Sequence, residues 1–142
     1  MTIARLIEGR SPDIISCEAS ASVGAAVALL AERRIGALPV LDGGQLVGIF
    51  SERDALYQLA RDGAAMLEAS VGAVMTAPPI TVEPLTGVMD ALGLMTRRRI
   101  RHLPVVEGGV LIGFVSIGDL VKYRIDRIES EAEAMRNYIQ SA

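Results

Sequence analysis

Two tetrapeptides place a hydroxyl three residues ahead of a carboxylate, Ser51-Glu52-Arg53-Asp54 and Ser116-Ile117-Gly118-Asp119. At the start of a helix such a pair has two chemical uses. Hydroxyl and carboxylate can close a capping box worth about 1 kcal/mol. Alternatively, the helix start offers N–H groups and partial positive charge to a phosphate while the Asp accepts hydrogen bonds from a ribose diol. The two uses are compatible. Nearby cations add to the second: Arg97-Arg98-Arg99 precede Arg101-His102, and a guanidinium can grip a phosphate with paired charge-assisted bonds while imidazole adds a donor. The same arginines would equally finish a helix at its negative end and solvate a surface. The only His and the only Cys, His102 and Cys17, are remote from one another, and no Ser-His-Asp, metal-ligand or Walker-type motif is present, so turnover is not expected.

Both tetrapeptides sit at the same place in an internal repeat. An offset of 65 pairs Ile15 with Ile80, Glu18 with Glu83, Ala26 with Ala91, Pro39 with Pro104, Gly48 with Gly113 and Asp54 with Asp119, without a gap from Ile15 to Leu56. Seventeen of those 42 pairs are identical, far beyond chance, so duplication precedes any residue-level argument. The lead-ins "TIARLIE" and "SVGAVMT" align at an offset of 68 instead, placing a three-residue length change before each first strand.

Each copy implies the order β-α-β-β-α. A short strand, "IISC" or "ITV", precedes a helix with apolar residues at 3.6-residue spacing (Val23, Ala26, Val27, Leu30; Val88, Ala91, Leu92, Met95). "ALPVL" and "QLVGIF", or "HLPVV" and "VLIGFV", then flank Asp-Gly-Gly or Glu-Gly-Gly, a hairpin signal. Ser51 or Ser116 opens the second helix. Gly48 and Gly113 lie inside strands, where glycine requires a close neighbour, either the other unit or a ligand. A three-stranded sheet with one helical face is marginal alone, so the two units, over residues 1–62 and 63–124, are expected to pack through their sheets with approximate two-fold symmetry. Facing repeats leave two equivalent clefts where strand ends meet.

The composition permits this. At 142 residues and 51% hydrophobic content the chain can bury a core without staples. Its lone Cys17 fits a reducing cytoplasm, the expected location, and no secretory leader or membrane-spanning run is seen. A net charge of -3 and five aromatic residues provide neither a broad basic face nor stacking platforms, which argues against nucleic acid.

"VGIFSERD" and "IGFVSIGD", each with an upstream Leu-Pro-Val, resemble the cystathionine-β-synthase (CBS) domain, and two in tandem resemble a CBS pair, or Bateman module. The resemblance runs from Thr2 to about Arg124. It implies an α+β fold and a regulatory module without catalytic residues. The implied ligand is an adenine nucleotide or other adenosine compound (AMP, ADP, ATP, NAD(H) or S-adenosylmethionine) held between the halves, often within a homodimer. No further cofactor is implied. Many such modules are attached to an enzyme or channel; none is encoded in these residues, so the regulated protein is expected to be a separate partner.

Carried over residue by residue, the resemblance makes Asp54 and Asp119 ribose ligands and Ser51 and Ser116 phosphate or ribose contacts. Ile15, Ile80 and Thr81 of the first strands would also touch ligand. By the same pattern Arg101 and His102 join Asp54 and Ser51 in a charged cleft, while Gly36 and Ala37 join Asp119 and Ser116 in a neutral one suited to adenosine or adenine. Strand alternation means Arg101 and His102 need not face the same way. The competing reading is a dimerisation or scaffold module with vestigial clefts.

The last helix is expected to run on as an extension over residues 125–142. Ile125, Ile128, Ala132, Met135 and Ile139 form a 3-4-3-4 stripe, with Glu129, Glu131, Glu133 and Arg136 mostly off it. That stripe must be buried against the chain's own body or a second chain; an acidic polar face argues against a membrane surface.

Overall fold

The computed structural model describes residues 1–10 and 13–141. It begins with a one-turn helix, α1 (Ile3–Ile7). The first unit follows as β1 (Cys17–Glu18), α2 (Val23–Arg33), β2 (Ala37–Asp42), β3 (Gln45–Ser51) and α3 (Glu52–Asp62). A 3-10 turn (Gly63–Glu68) and a short helix, α4 (Val71–Val74), lead to α5 (Val88–Arg98), β4 (His102–Glu107), β5 (Val110–Ser116) and α6 (Ile117–Ser141). The fold is therefore α+β, two tandem β-α-β-β-α units plus a long C-terminal helix. Ala142, the last residue of the expected extension, lies outside the described residues.

The duplication is reproduced in local detail. Gly43-Gly44 and Gly108-Gly109 all adopt positive φ, between +57° and +85°, as a two-residue mirror-image turn demands. Each hairpin carries an irregularity at the same aligned place, Val40/Leu41 and Val105/Val106. The first strands differ. β1 pairs in parallel with β2 through Cys17 and Glu18, but "ITV" contributes a single bridge, Val82 to Val105, so the second sheet has two named strands. Pro78, Pro79 and Pro84 flank that segment, and proline cannot donate to a ladder.

The two cores are built by exchange. Ile3 of α1 is fully buried in the second unit's cluster with Val88, Ala91, Met95, Leu103 and Leu120, and the Ile3 and Ala4 amides donate to the carbonyls of Thr86 and Pro84. Reciprocally, Met66 and Val71 enter the first unit's cluster with Val23, Leu38, Val40 and Phe50, and Val71 donates to the Ala21 carbonyl at 2.8 Å. Each lead-in thus serves the opposite unit.

The strand glycines are explained by this exchange. A Cβ at Gly48 would stand 2.8 Å from the Thr76 carbonyl oxygen and 2.6 Å from Met75 Sδ, and one at Gly113 would stand 3.1 Å from Ile7 Cδ1. The close neighbour is a lead-in segment in both cases. β3 and β5 meet across the seam between units.

α6 packs only at its start: Leu120 is fully buried, and Ile117 and Tyr123 lean on the second core. Of the two fates expected for its stripe, burial against the chain's own body does not occur, since Ile125, Ile128, Met135 and Ile139 are all about half exposed or more.

Candidate functional site

Ser51 ends β3 in extended conformation and Asp54 lies in the first turn of α3, so chain direction alone brings them together. Asp54 Oδ2 accepts from the Ser51 amide at 2.9 Å, and Ser51 Oγ accepts from the Asp54 amide at 3.3 Å, completing the capping box. Ser116 and Asp119 repeat the pattern at 2.8 and 3.2 Å. The expected free N–H groups at the helix start are partly consumed. Ser51 Oγ takes the Asp54 amide, and the Glu52 amide donates to the Gly36 carbonyl at 2.9 Å. On the other side Ile117 donates to the Arg101 carbonyl at 2.7 Å. An anion here must rely chiefly on side chains.

The first cleft, of about 240 Å³, brings Ser51 and Asp54 together with Arg101, His102 and Ile80, and also with Gly36. Thr76, at the end of the exchanged lead-in, donates its hydroxyl to Asp54 Oδ1 at 2.9 Å and fixes the carboxylate from the second side. Arg53 and Arg99 flank the opening, and Arg53 Nη1 donates to the Arg99 carbonyl at 3.3 Å across the seam. Thr81 is exposed and lines neither this cleft nor the second.

The second cleft, of about 830 Å³, is lined by Asp119, Ser116, Gly36 and Ala37, and by Ile15, and it is not free of ionic groups. Arg10 Nη2 lies 3.1 Å from Asp119 Oδ1, and Arg34 and Asp13 also line the wall. Two guanidiniums face two carboxylates here, against three guanidiniums and two carboxylates in the first cleft. The cleft expected to be neutral is therefore balanced in net charge but not uncharged. Burial works to raise the Asp119 pKa, but the Ser116 amide and the Arg10 guanidinium outweigh it and hold the carboxyl below its ordinary value.

His102 lines both clefts rather than the first alone. Its ring stacks on Phe114, with centroids 5.6 Å apart and planes 10° from parallel. A Cβ at Gly36 would come 3.3 Å from His102 Cε1. The asymmetry between Gly36-Ala37 and Arg101-His102 thus has a steric side: one unit stays small so that the other's imidazole can fill the seam.

Burial lowers the His102 pKa below its usual 6.5, and Arg101 adds to that, although Glu52 and Asp119 pull it upward. The folded state therefore favours neutral imidazole. Stability should be complete above pH 6.5 and fall as the pH drops below it, because the unfolded chain then binds a proton that the folded one refuses. His102 is the sole histidine, so His102→Gln is expected to flatten urea midpoints between about pH 7 and pH 5. The Asp119 contribution, from a depressed pKa, is lost only at lower pH.

Sequence reasoning did not place Thr76, Arg10, Arg34, Arg53 or Arg99 in the clefts. A signal existed for two of them. Arg34 and Arg99 align across the repeat, and both have φ +54° just past their helices, a left-handed conformation that ordinarily favours glycine. A non-glycine residue held there tends to mark a functional position, and these two arginines line opposite clefts.

Among the described residues no helix is long and apolar enough to cross a membrane, and no group of His, Cys, Asp and Glu side chains could hold a metal ion. The family model for the CBS domain matches residues 7–61 and 71–126. The CBS domain-containing protein CBSX3, mitochondrial, of Arabidopsis thaliana is 37% identical over 140 residues, covering 94% of this chain and 68% of that protein. The crystal structure of the CBS-domain containing protein ATU1752 from Agrobacterium tumefaciens superposes with a TM-score of 0.82 at 36% identity, covering 87% of this chain and 92% of that one. The crystal structure of CBSX2 in complex with AMP gives 0.74 at 32% identity, covering 88% and 96%. An inosine-5'-monophosphate dehydrogenase of Mycobacterium tuberculosis is 37% identical over 123 residues, which make up 22% of its length.

Proposed function

Because this chain belongs to the CBS-domain family, as a tandem pair of such domains, we propose that it is a regulatory module that binds an adenine nucleotide between its halves. The single observation that carries the reading is the first cleft. There a carboxylate oriented by Ser51 and Thr76 stands beside Arg53, Arg99 and Arg101. A nucleoside monophosphate presents the complementary pattern, a diol that donates to Asp54 and a phosphate that accepts from guanidinium. The AMP complex of a relative at 32% identity supports the same ligand class, and AMP is the ligand we favour. Ser116, Asp119, Gly36, Ala37 and Ile15 form the second, roomier site, where Arg10 must exchange Asp119 for ligand or remain as a wall. Binding occurs without turnover, and the signal passes to a separate protein from a cytoplasmic homodimer.

Calorimetric titration of AMP against adenosine tests the assignment. Arg101→Ala removes a charge-assisted contact of about 1.5–3 kcal/mol and is expected to weaken AMP by roughly 10- to 100-fold. Adenosine, lacking the phosphate, should be weakened only slightly. Equal weakening of both would refute the phosphate role of Arg101, and no binding of any adenosine compound would leave a scaffold whose clefts are vestigial. Release of phosphate or another product would make the protein an enzyme after all.

A further inference from the structure

Among the described residues nothing covers the distal part of α6, most of which lies beyond residue 126, where the family match ends. Val121, Ile125, Ile128, Ala132, Met135 and Ile139 recur at alternating steps of four and three, the spacing of the a and d positions of a coiled coil. All six are exposed, Met135 at 60% and Ile139 at 65%. We propose that α6 pairs with α6 of a second copy of this chain as a parallel two-stranded coiled coil.

The flanking charges select both the occupant and the direction. With Ile125, Ala132 and Ile139 at a, the g positions include Arg124 and Glu131, and the e positions include Glu129 and Arg136. In a parallel pair each g residue faces the e residue five positions on in the other helix. Arg124 then meets the partner's Glu129, and Glu131 meets the partner's Arg136, on both sides of the seam. The antiparallel alignment that overlaps the whole stripe instead sets Glu129 against itself, Glu131 against itself, and Lys122 against Arg136. Glu131 also holds Arg127 within its own helix, Nε to Oε1 3.0 Å, which anchors its side chain along that flank.

The inference rests on the homodimer included in the proposed function, and sedimentation of the full chain separates the two. Wild type should sediment as a dimer at about 10 µM. The double variant Arg124→Glu with Arg136→Glu makes every facing pair acidic, and Glu129→Arg with Glu131→Arg makes every facing pair basic. Each should dimerise more weakly, on the order of 100-fold, and an equimolar mixture should restore the dimer. In a Cys17→Ser background, Ile139→Cys should form an intermolecular disulfide on mild oxidation, because parallel pairing brings the two positions together. Antiparallel pairing would hold them about 27 Å apart. A wild-type chain that stays monomeric overturns both readings and leaves the stripe to another protein. Dimers that survive both charge variants overturn the helix pairing alone, and absence of the disulfide overturns its direction.

Discussion

With AMP at about 100 times its dissociation constant, the wild-type chain is expected to unfold roughly 10 °C higher than without ligand, and Asp54→Ala is expected to abolish that shift. The size follows from linkage: such a ligand excess adds about 2.7 kcal/mol to the folded state, and a chain of this length gains roughly 3–5 °C per kcal/mol. The complete loss follows from the way Asp54 is held. Both of its oxygens are oriented, Oδ2 by the Ser51 amide and Oδ1 by the Thr76 hydroxyl. The carboxylate therefore meets a ligand already aimed, and alanine leaves the diol without an acceptor while freeing the Thr76 hydroxyl. Without ligand the variant loses a cap, about 1 kcal/mol. Differential scanning fluorimetry with and without AMP checks both halves. A variant that keeps the wild-type shift would move the ribose site away from Asp54.

Ile3→Ala is expected to cost about 2–5 kcal/mol, lowering the ligand-free midpoint by roughly 6–25 °C. Ile3 is fully buried among Val88, Met95, Leu103 and Leu120, residues of the opposite unit. Removing its side chain opens a cavity in a core that the rest of the lead-in cannot refill. Leu85→Ala provides the control, because Leu85 is 82% exposed and should change the midpoint by a degree or two at most. Chemical denaturation of the three proteins would measure both effects. Similar costs for the two variants would show that the lead-in does not seal the second core.

The extent to which the fold was legible follows from the kind of signal involved. Periodicity, the Gly-Gly turns and the offset of 65 are local and repeated, so the order of helices and strands, the hairpins and the pseudo-two-fold could be read directly. The composition of "ITV" favours a strand, but the flanking prolines limit its pairing to Val82. Ser51 with Asp54 and Ser116 with Asp119 each line a cleft as a pair, since the Ser-x-x-Asp geometry is fixed within one turn of helix. Thr76 and Arg10 were missed for a different reason. Both come from lead-ins that cross to the other unit, and nothing in their own neighbourhood records that crossing. His102 shows the limit of pairing by repeat alone: its position in one cleft could be argued from alignment, but its stacking on Phe114 and its fit over Gly36 depend on the distance between the two halves.

The crossed lead-ins also bear on how such a molecule could arise. A half-length ancestor with the same arm would have found its missing wall only on a twin, so it would have existed as an arm-exchanged pair whose integrity varied with dilution. Two copies joined in one chain make that embrace intramolecular and independent of abundance. It also lets the two pockets differ, one lined by three guanidiniums and the other by two, with the His102 imidazole shared between them above Gly36.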